Sequence, residues 1–301
     1  MSTFQKSTNK AILLCVAAYA IFSMQDAVMK WMVSDFGVAE LLFWRSLAAL
    51  LICLMVGRKK VVQDTIQSPV LKPLIWRSLI AAFAWVFYYL SAKELSLAQM
   101  TTIYYSAPII VVVLAVALLK EKPTKLQWAS VFIGFIGVLI ASRPEVTGQA
   151  LSIFYALFSA LLWAYTYILL RQLSGKASVL VQMVAANFMF IVITGVSLPW
   201  TLSGFDTQAI LIMMLTGIIG AAGQYFLFAS FEHAEATTLA PIEYTGLIWA
   251  FTFSYLIWGA GLNAFLITGA TLIAVSGFMS VIANNHKNKQ LQHKKDASLP
   301  T

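Results

Sequence analysis

Apolar residues along this chain follow neither a period of two nor a narrow helical stripe. They form long continuous runs separated by short polar punctuation. A helix rising about 1.5 Å per residue needs about 20 such residues to cross a hydrocarbon layer roughly 30 Å thick. Runs of that kind fall at about 11–31, 39–57, 73–92, 97–119, 126–142, 149–170, 178–199, 208–230, 237–258 and 262–283. They predict an all-α membrane protein with ten transmembrane helices. A transmembrane β-barrel would instead alternate apolar and polar residues in segments of about 10. The connections are short, which leaves no room for an inserted soluble domain. From Asn284 the chain reads NNHKNKQLQHKKDASLPT, a polar, Lys-rich stretch expected to be a disordered tail. The first run is too long for a cleaved signal peptide, and no small-residue cleavage site with a soluble segment follows it.

Composition agrees with this reading: of 301 residues, 60% are hydrophobic and only 11% charged, and mean hydropathy is +0.81. The formal charge of +8 is no nucleic-acid stripe, because the bases cluster between the runs. With a cytoplasmic N-terminus, one side holds Lys6, Lys10, Arg58, Lys59, Lys60, Lys72, Lys120, Lys122, Lys125, Arg171, Lys176, Lys287, Lys289, Lys294 and Lys295. The other side holds Lys93 and Arg143. This positive-inside bias expects a multi-pass protein of the cell inner membrane with both termini cytoplasmic. Cys15 and Cys53 lie inside apolar runs, and His233, His286 and His293 are scattered, so neither a disulfide framework nor a metal site is indicated. No cofactor is implied, and the expected partners are a small-molecule solute and the lipid bilayer.

The two halves of the chain resemble each other. YAIFS (19–23) matches YALFS (155–159), YYLSA (88–92) matches YFLFA (225–229), and IYYSA (103–107) matches IEYTG (242–246), at offsets of 136, 137 and 139. Each unit has five spans, an odd number, so the second lies upside down relative to the first. The expected units are residues 1–144 and 145–283, with 284–301 as the tail. Inverted repeats around a site near the midplane are the architecture of secondary transporters. No GxxxxGK[ST] phosphate loop is present, so direct ATP drive is not expected, and no cluster of nucleophile, base or metal ligands points to an enzyme.

Particular stretches then carry a family resemblance. They are QDAVMKW in span one, FWRSLAALL (43–51) in span two and WRSLIAAFAWVFYYLSAKELSLAQ (76–99) through span three. SAPIIVVVLAVALLKEKPTKLQWASVFIGFIGVLIASRP (106–144) and APIEYTGLIWAF (240–251) complete the set. In order and spacing they resemble the EamA-type, ten-helix members of the drug/metabolite transporter superfamily over nearly the whole chain. The first half is similar to the branch with S-adenosylmethionine and riboflavin carriers; aromatic amino-acid exporters are more distant. The resemblance implies two inverted five-helix repeats and a transported small organic metabolite. One departure stands out: an acidic residue often closes the ninth span in that family, as Glu121 closes the fourth, whereas here Ala260 occupies that place.

Charges inside the runs are the candidates for chemistry, because an ionisable residue at membrane depth usually faces the bundle interior or a wet cavity. At the repeat offsets, Asp26 and Lys30 correspond to Leu162 and Thr166, and Glu243 to Tyr104, so these charges are not part of the shared frame. Counting residues from span ends puts Asp26 level with Arg45 near the outer side, and Glu243 level with Arg77 near the inner side. Two polar layers, Asp26–Arg45 and Glu243–Arg77, are therefore expected. Lys30 has three alternatives: a ligand role toward the solute, snorkelling to the headgroups, or neutralising Asp26 one turn earlier. Arg77 can equally be an inner-face anchor. Asp35 and Glu40 are assigned to a loop or interface, and Glu232, His233 and Glu235 to the loop before span nine.

Among the aromatics Trp85, Tyr88, Tyr89, Tyr104, Tyr105, Trp163, Tyr165, Tyr225 and Tyr244, those near the charges would suit a planar or cationic solute. The substrate-binding candidates are Asp26, Arg45, Arg77, Tyr88, Tyr104, Tyr105, Trp163, Gln224, Tyr225, Glu243 and Tyr244. Gly134, Gly137, Gly269 and Gly277 allow close helix approach, which assigns spans five and ten to scaffold or to a homodimer contact. Pro108 and Pro241 are expected to bend spans four and nine. The leading function is a secondary transporter working by alternating access. The alternatives are an exporter of toxic amphipathic cations or a non-transporting membrane subunit.

Overall fold

The structure is a computed structural model describing residues 3–95, 97–142, 150–201, 206–259, 264–265, 267–269, 271–279 and 282–283. The elements are α1 (Thr3–Met32), α2 (Val38–Ile66), α3 (Leu71–Ser91), α4 (Leu97–Tyr104), α5 (Ala107–Leu119), α6 (Lys125–Ser142), α7 (Ala150–Leu173), α8 (Val179–Thr201), α9 (Thr207–Ser230), α10 (Ala236–Glu243) and α11 (Thr245–Trp258). Residues 267–279 form a further apolar helical segment in the region of the tenth span. Arg143, Ala260 and the tail from Asn284 lie outside the described residues.

Six of these helices, α1, α2, α3, α7, α8 and α9, are each long and apolar enough to cross a membrane. Their outward faces are oily: Val56, Ile66, Val196 and Trp200 are exposed. An apolar surface of that extent is stable against lipid and not against water. This is a multi-pass membrane protein.

Spans four and nine are each broken, and at equivalent places. The fourth stops at Tyr104 and restarts at Ala107 with Pro108 in the first turn; the ninth stops at Glu243 and restarts at Thr245, four residues beyond Pro241. Proline removes a backbone donor and crowds the preceding turn, so the helix breaks beside it. α2 kinks where the second run was expected to end: Arg58 has φ 51°, ψ −152°, and the polar remainder turns away as a separate helical stretch.

Packing follows the inverted repeat. α1 lies on α9 while α3 lies on α7; α1 meets α10 and α11 while α7 meets α4 and α5; α2 packs on α8, its own counterpart. Each of these contacts between the halves therefore has its mate. Two elements of the scaffold are tied the same way. Lys30 Nζ donates to the carbonyls of Ala92 and Leu95 (3.0 Å to the latter), closing the end of α3. Arg171 Nη1 donates to the Phe231 carbonyl at 2.7 Å, closing the end of α9. Each base caps orphan carbonyls at a helix C-terminus, where positive charge is favoured. Lys30 therefore neither snorkels nor pairs with Asp26.

Close approach is set by glycine. A Cβ on Gly137 would stand 2.9 Å from the Gly269 carbonyl oxygen, and one on Gly134 would stand 2.4 Å from the Tyr244 ring, so α6 seats both partners tightly. Gly277, in contrast, faces open space. A second set was missed in the sequence: Gly217, Gly220 and Gly223 line one face of α9 against α2 and α1.

Candidate functional site

Two adjoining cavities occupy the middle of the bundle. The first lies among α1, α3, α4 and α7, and Asp26 is the carboxylate in its wall. Asp26 is held by two neighbours on α3. Tyr89 Oη donates to Oδ1 at 2.7 Å, and Tyr88 Oη donates to Oδ2 at 3.3 Å. Tyr19, Ser23, Tyr104 and Tyr105 complete the polar part of this lining. Ser23 Oγ donates to the Gly246 carbonyl at 2.7 Å, beside the break between α10 and α11.

The second cavity lies among α1, α2, α3, α7, α8 and α9. Its charged lining is Arg45 and Arg77; its amides are Gln25, Asn187 and Gln224. With its oxygen turned toward the guanidinium, the Gln25 amide accepts from Arg45 Nη1 at 2.7 Å and from Nε at 3.3 Å. Arg45 also lies over the faces of Trp85 (5.0 Å) and Phe190 (5.4 Å). Gln224 Oε1 accepts from Asn187 Nδ2 at 2.8 Å. Phe22, Trp85 and Trp163 border both cavities and form their common wall, with Trp163 edge-on to Trp85 at 6.0 Å.

Behind that wall sits Glu243, fully buried. Trp163 Nε1 donates to its Oε1 at 2.9 Å and Tyr104 Oη reaches the same oxygen at 3.4 Å. The Tyr19 hydroxyl faces the same carboxylate. Its second oxygen, Oε2, has no hydrogen-bond partner.

The expected layers need correction. Asp26 and Arg45 do sit close enough to act on each other through space, with Tyr89 touching both, but they form no direct ion pair. Arg77 and Glu243 do not meet. Arg77 Nη2 donates to the Gln182 carbonyl at 3.2 Å and its guanidinium stacks 4.7 Å over Phe228, with Nε unpartnered. Arg171 and Glu121 form an ion pair at 4.0 Å, away from both cavities. Tyr225 is not in the site: it is 48% exposed on the outer face of α9, while Gln224 beside it points inward. Tyr244 is fully buried but lines neither cavity; its hydroxyl donates to the Val131 carbonyl at 3.3 Å and its ring fills the notch at Gly134. Glu40 is buried in the first turn of α2, whereas Asp35 is exposed as expected. Gln25, Asn187 and Phe190 are site residues not selected from the sequence; the signal for the two amides was polarity inside an apolar run.

At the end of the bundle carrying Lys122 and Lys125, the halves are latched. The Glu121 carboxylate accepts from the backbone N–H of Ala236 at 3.2 Å and of Thr237 at 3.0 Å, capping α10. A carboxylate at a helix N-terminus satisfies donors that have no partner within the helix and meets the positive end of its dipole.

The model of the EamA-like transporter family matches residues 9–143 and again residues 150–282. The chain belongs to this family. Among its relatives is an uncharacterized transporter of Helicobacter pylori, 28% identical over 277 residues covering 89% of this chain and 93% of that protein. The pseudopaline exporter CntI of Pseudomonas aeruginosa is 26% identical, covering 89% and 94%. An S-adenosylmethionine uptake transporter of Rickettsia prowazekii is 24% identical over 64% of this chain and 65% of its own length. A solved crystal structure superposes with a TM-score of 0.78 at 14% identity, covering 91% of this chain and 98% of the other, so the fold is shared.

In this EamA-like transporter the broken helices bring the two halves together at one point. Tyr104 ends α4 and Glu243 ends α10, 139 residues apart, the offset that relates the repeats. Residues related by a two-fold and in contact with each other must lie beside its axis. The pair is unlike, and it sits between the two cavities' shared wall and the helix breaks.

Proposed function

We propose that this protein is a secondary carrier that moves a small organic metabolite across the cell inner membrane by alternating access, with both termini cytoplasmic. The observation that carries this reading is the Asp26 chamber: a carboxylate at membrane depth, bounded by aromatic rings from both repeats. A cationic group entering it would meet Asp26 and the faces of Trp85 and Tyr104, an arrangement suited to organic cations. The broken spans and matched contacts between the halves support exchange between two related states. The basic residues gathered at one end support that end as cytoplasmic. One relative is by name an S-adenosylmethionine uptake transporter and another a pseudopaline exporter, which favours a small organic metabolite here, with S-adenosylmethionine the first to try.

The test is flux. Purified protein reconstituted in liposomes is loaded with radiolabelled S-adenosylmethionine and then with amino acids and organic cations. Asp26→Asn keeps an acceptor for Tyr89 and should preserve folding while removing flux of the active solute. Equal flux in the wild type and in protein-free liposomes for every solute would end the reading.

A further inference from the structure

The Arg45–Arg77 cavity has no counter-charge in its wall. Its described lining contains two guanidiniums, three amides, aromatic rings and small residues, and no carboxylate. Arg45 is partly answered by Gln25 and by Asp26 at a distance. Arg77 is not. It is 1% exposed, holds one backbone carbonyl and one aromatic face, and leaves Nε bare. A buried charge is normally paired and fully hydrogen-bonded, because desolvation costs several kcal/mol per ion in real proteins. An uncompensated guanidinium in a cavity wall is therefore built for a group the chain does not supply. The planar fork of arginine matches a carboxylate in shape and charge.

Resting on the transport reading above, we infer that this cavity receives the carboxylate of a zwitterionic solute, whose cationic end lies across the Trp85–Trp163 wall against Asp26. Charge separation in the protein then mirrors charge separation in the solute. Arg77 supplies the unpaired donors, and Arg45 exchanges its Gln25 contact for the solute. The aromatic wall common to both cavities covers the apolar body between the two charged ends. This arrangement selects against solutes with only one of the two charges: an organic cation leaves Arg77 bare, and a simple anion leaves Asp26 bare.

Binding to purified full-length protein in nanodiscs separates these cases, using compounds matched except for the carboxylate. The pairs are S-adenosylmethionine with its decarboxylated form, L-phenylalanine with phenethylamine, and L-arginine with agmatine. In at least one pair the zwitterion should bind at least 10-fold more tightly than its decarboxylated partner. Arg77→Met and Arg45→Met should erase that preference. Arg77→Met should also raise the melting temperature of the ligand-free protein, since it replaces an unpaired buried charge with a side chain of similar reach; a structural arginine would lower it. The inference is overturned if decarboxylated partners bind as tightly as their parents, if the preference survives in Arg77→Met, or if no zwitterion binds. Displacement of a bound zwitterion by inorganic phosphate but not by acetate would overturn the carboxylate assignment. Liposome flux of the amines alone would leave the transport reading standing while removing this one, so the two failures are distinguishable.

Discussion

Substitution of Gly217 by Ala is the sharpest test of how the second cavity is held. An ideal Cβ at Gly217 would stand 2.1 Å from the Arg45 carbonyl oxygen, 2.9 Å from its carbonyl carbon and 3.0 Å from Ala48 Cβ. Contacts under 3.0 Å are essentially never seen, so that oxygen must retreat by about 0.9 Å (3.0 − 2.1). The oxygen belongs to the backbone of α2 and cannot swing aside without breaking its own helix. α2 and α9 must therefore part, and overpacking of this kind costs about 1–3 kcal/mol. At about 2–4 °C per kcal/mol, the thermal midpoint falls by about 2–12 °C.

Two neighbouring substitutions make the comparison internal. A Cβ on Gly220 would come within 2.4 Å of the Gln25 side-chain amide, and that group ends a flexible side chain that can rotate away. Gly220→Ala should therefore keep its midpoint while depriving Arg45 of its acceptor. Gly277→Ala meets nothing within 4 Å and should be neutral or slightly stabilising, as alanine is the better helix former. Dye-monitored thermal unfolding in detergent reads all three. If Gly217→Ala melts with Gly277→Ala, the contact between α2 and α9 does not set the position of Arg45.

Three further outcomes follow from the geometry. Trp163→Phe removes the 2.9 Å donor to Glu243 and leaves that buried carboxylate with the longer Tyr104 bond; the expected loss is about 1–3 kcal/mol, and adding Glu243→Met should recover part of it in a double-mutant cycle. Strict additivity of the two would show that the indole does not serve the carboxylate. Glu121→Ala uncaps α10 at a cost of about 0.5–2 kcal/mol, and labelling of an Ala236→Cys variant by an impermeant maleimide should rise, with Glu121→Gln intermediate. Unaltered labelling would mean that the latch does not govern access at that end. Lys30→Met strips Ala92 and Leu95 of their donor and should lower the thermal midpoint, whereas a snorkelling lysine would tolerate the change.

The long apolar helices, a bend in the fourth and ninth spans at their prolines and the internal placement of Asp26 and Glu243 were readable from the sequence. Each depends on a local property: run length, a proline, or a charge where none is tolerated. The pairings were not readable. Counting residues at about 1.5 Å each gives the depth of a side chain but not its direction around the helix axis, which turns by about 100° per residue. Tyr225 lies one residue from Gln224, and Tyr244 one from Glu243; each neighbour of an inward residue points elsewhere. Counting puts Arg77 and Glu243 at one level, but Arg77 turns to Gln182 and Phe228 while Glu243 turns to Trp163 and Tyr104. Lys30 was ambiguous for a related reason: its partners are carbonyls at the end of a different helix, and carbonyls carry no sequence signature. The glycines on α9 were visible as a spacing of three, but which helices they admit is decided only by the order of packing.

The unlike pair beside the repeat axis has an energetic consequence for the proposed cycle. Were the two halves identical, the two end states would be images of each other and equal in free energy. Tyr104 and Glu243 occupy equivalent places, yet one is a phenol that donates and the other a carboxylate that accepts. In the present state Glu243 also takes the indole of Trp163 from α7, while the position equivalent to Trp163 on α1 is Ala27, which has no side-chain donor to offer Tyr104. Inverting the bundle would ask a tyrosine to occupy the carboxylate's socket and the carboxylate to occupy the tyrosine's. Those exchanges are not equivalent, so the two states differ in energy before any solute binds. Tyr104→Glu, which restores likeness at the axis, would set two carboxylates within contact distance and should disfavour the present arrangement. Tyr104→Phe removes only the 3.4 Å bond and should shift the balance less. Accessibility of single cysteines at the two ends, compared among these variants and the parent, would read that bias. Identical accessibility in all three would show that the axis pair does not weight the states.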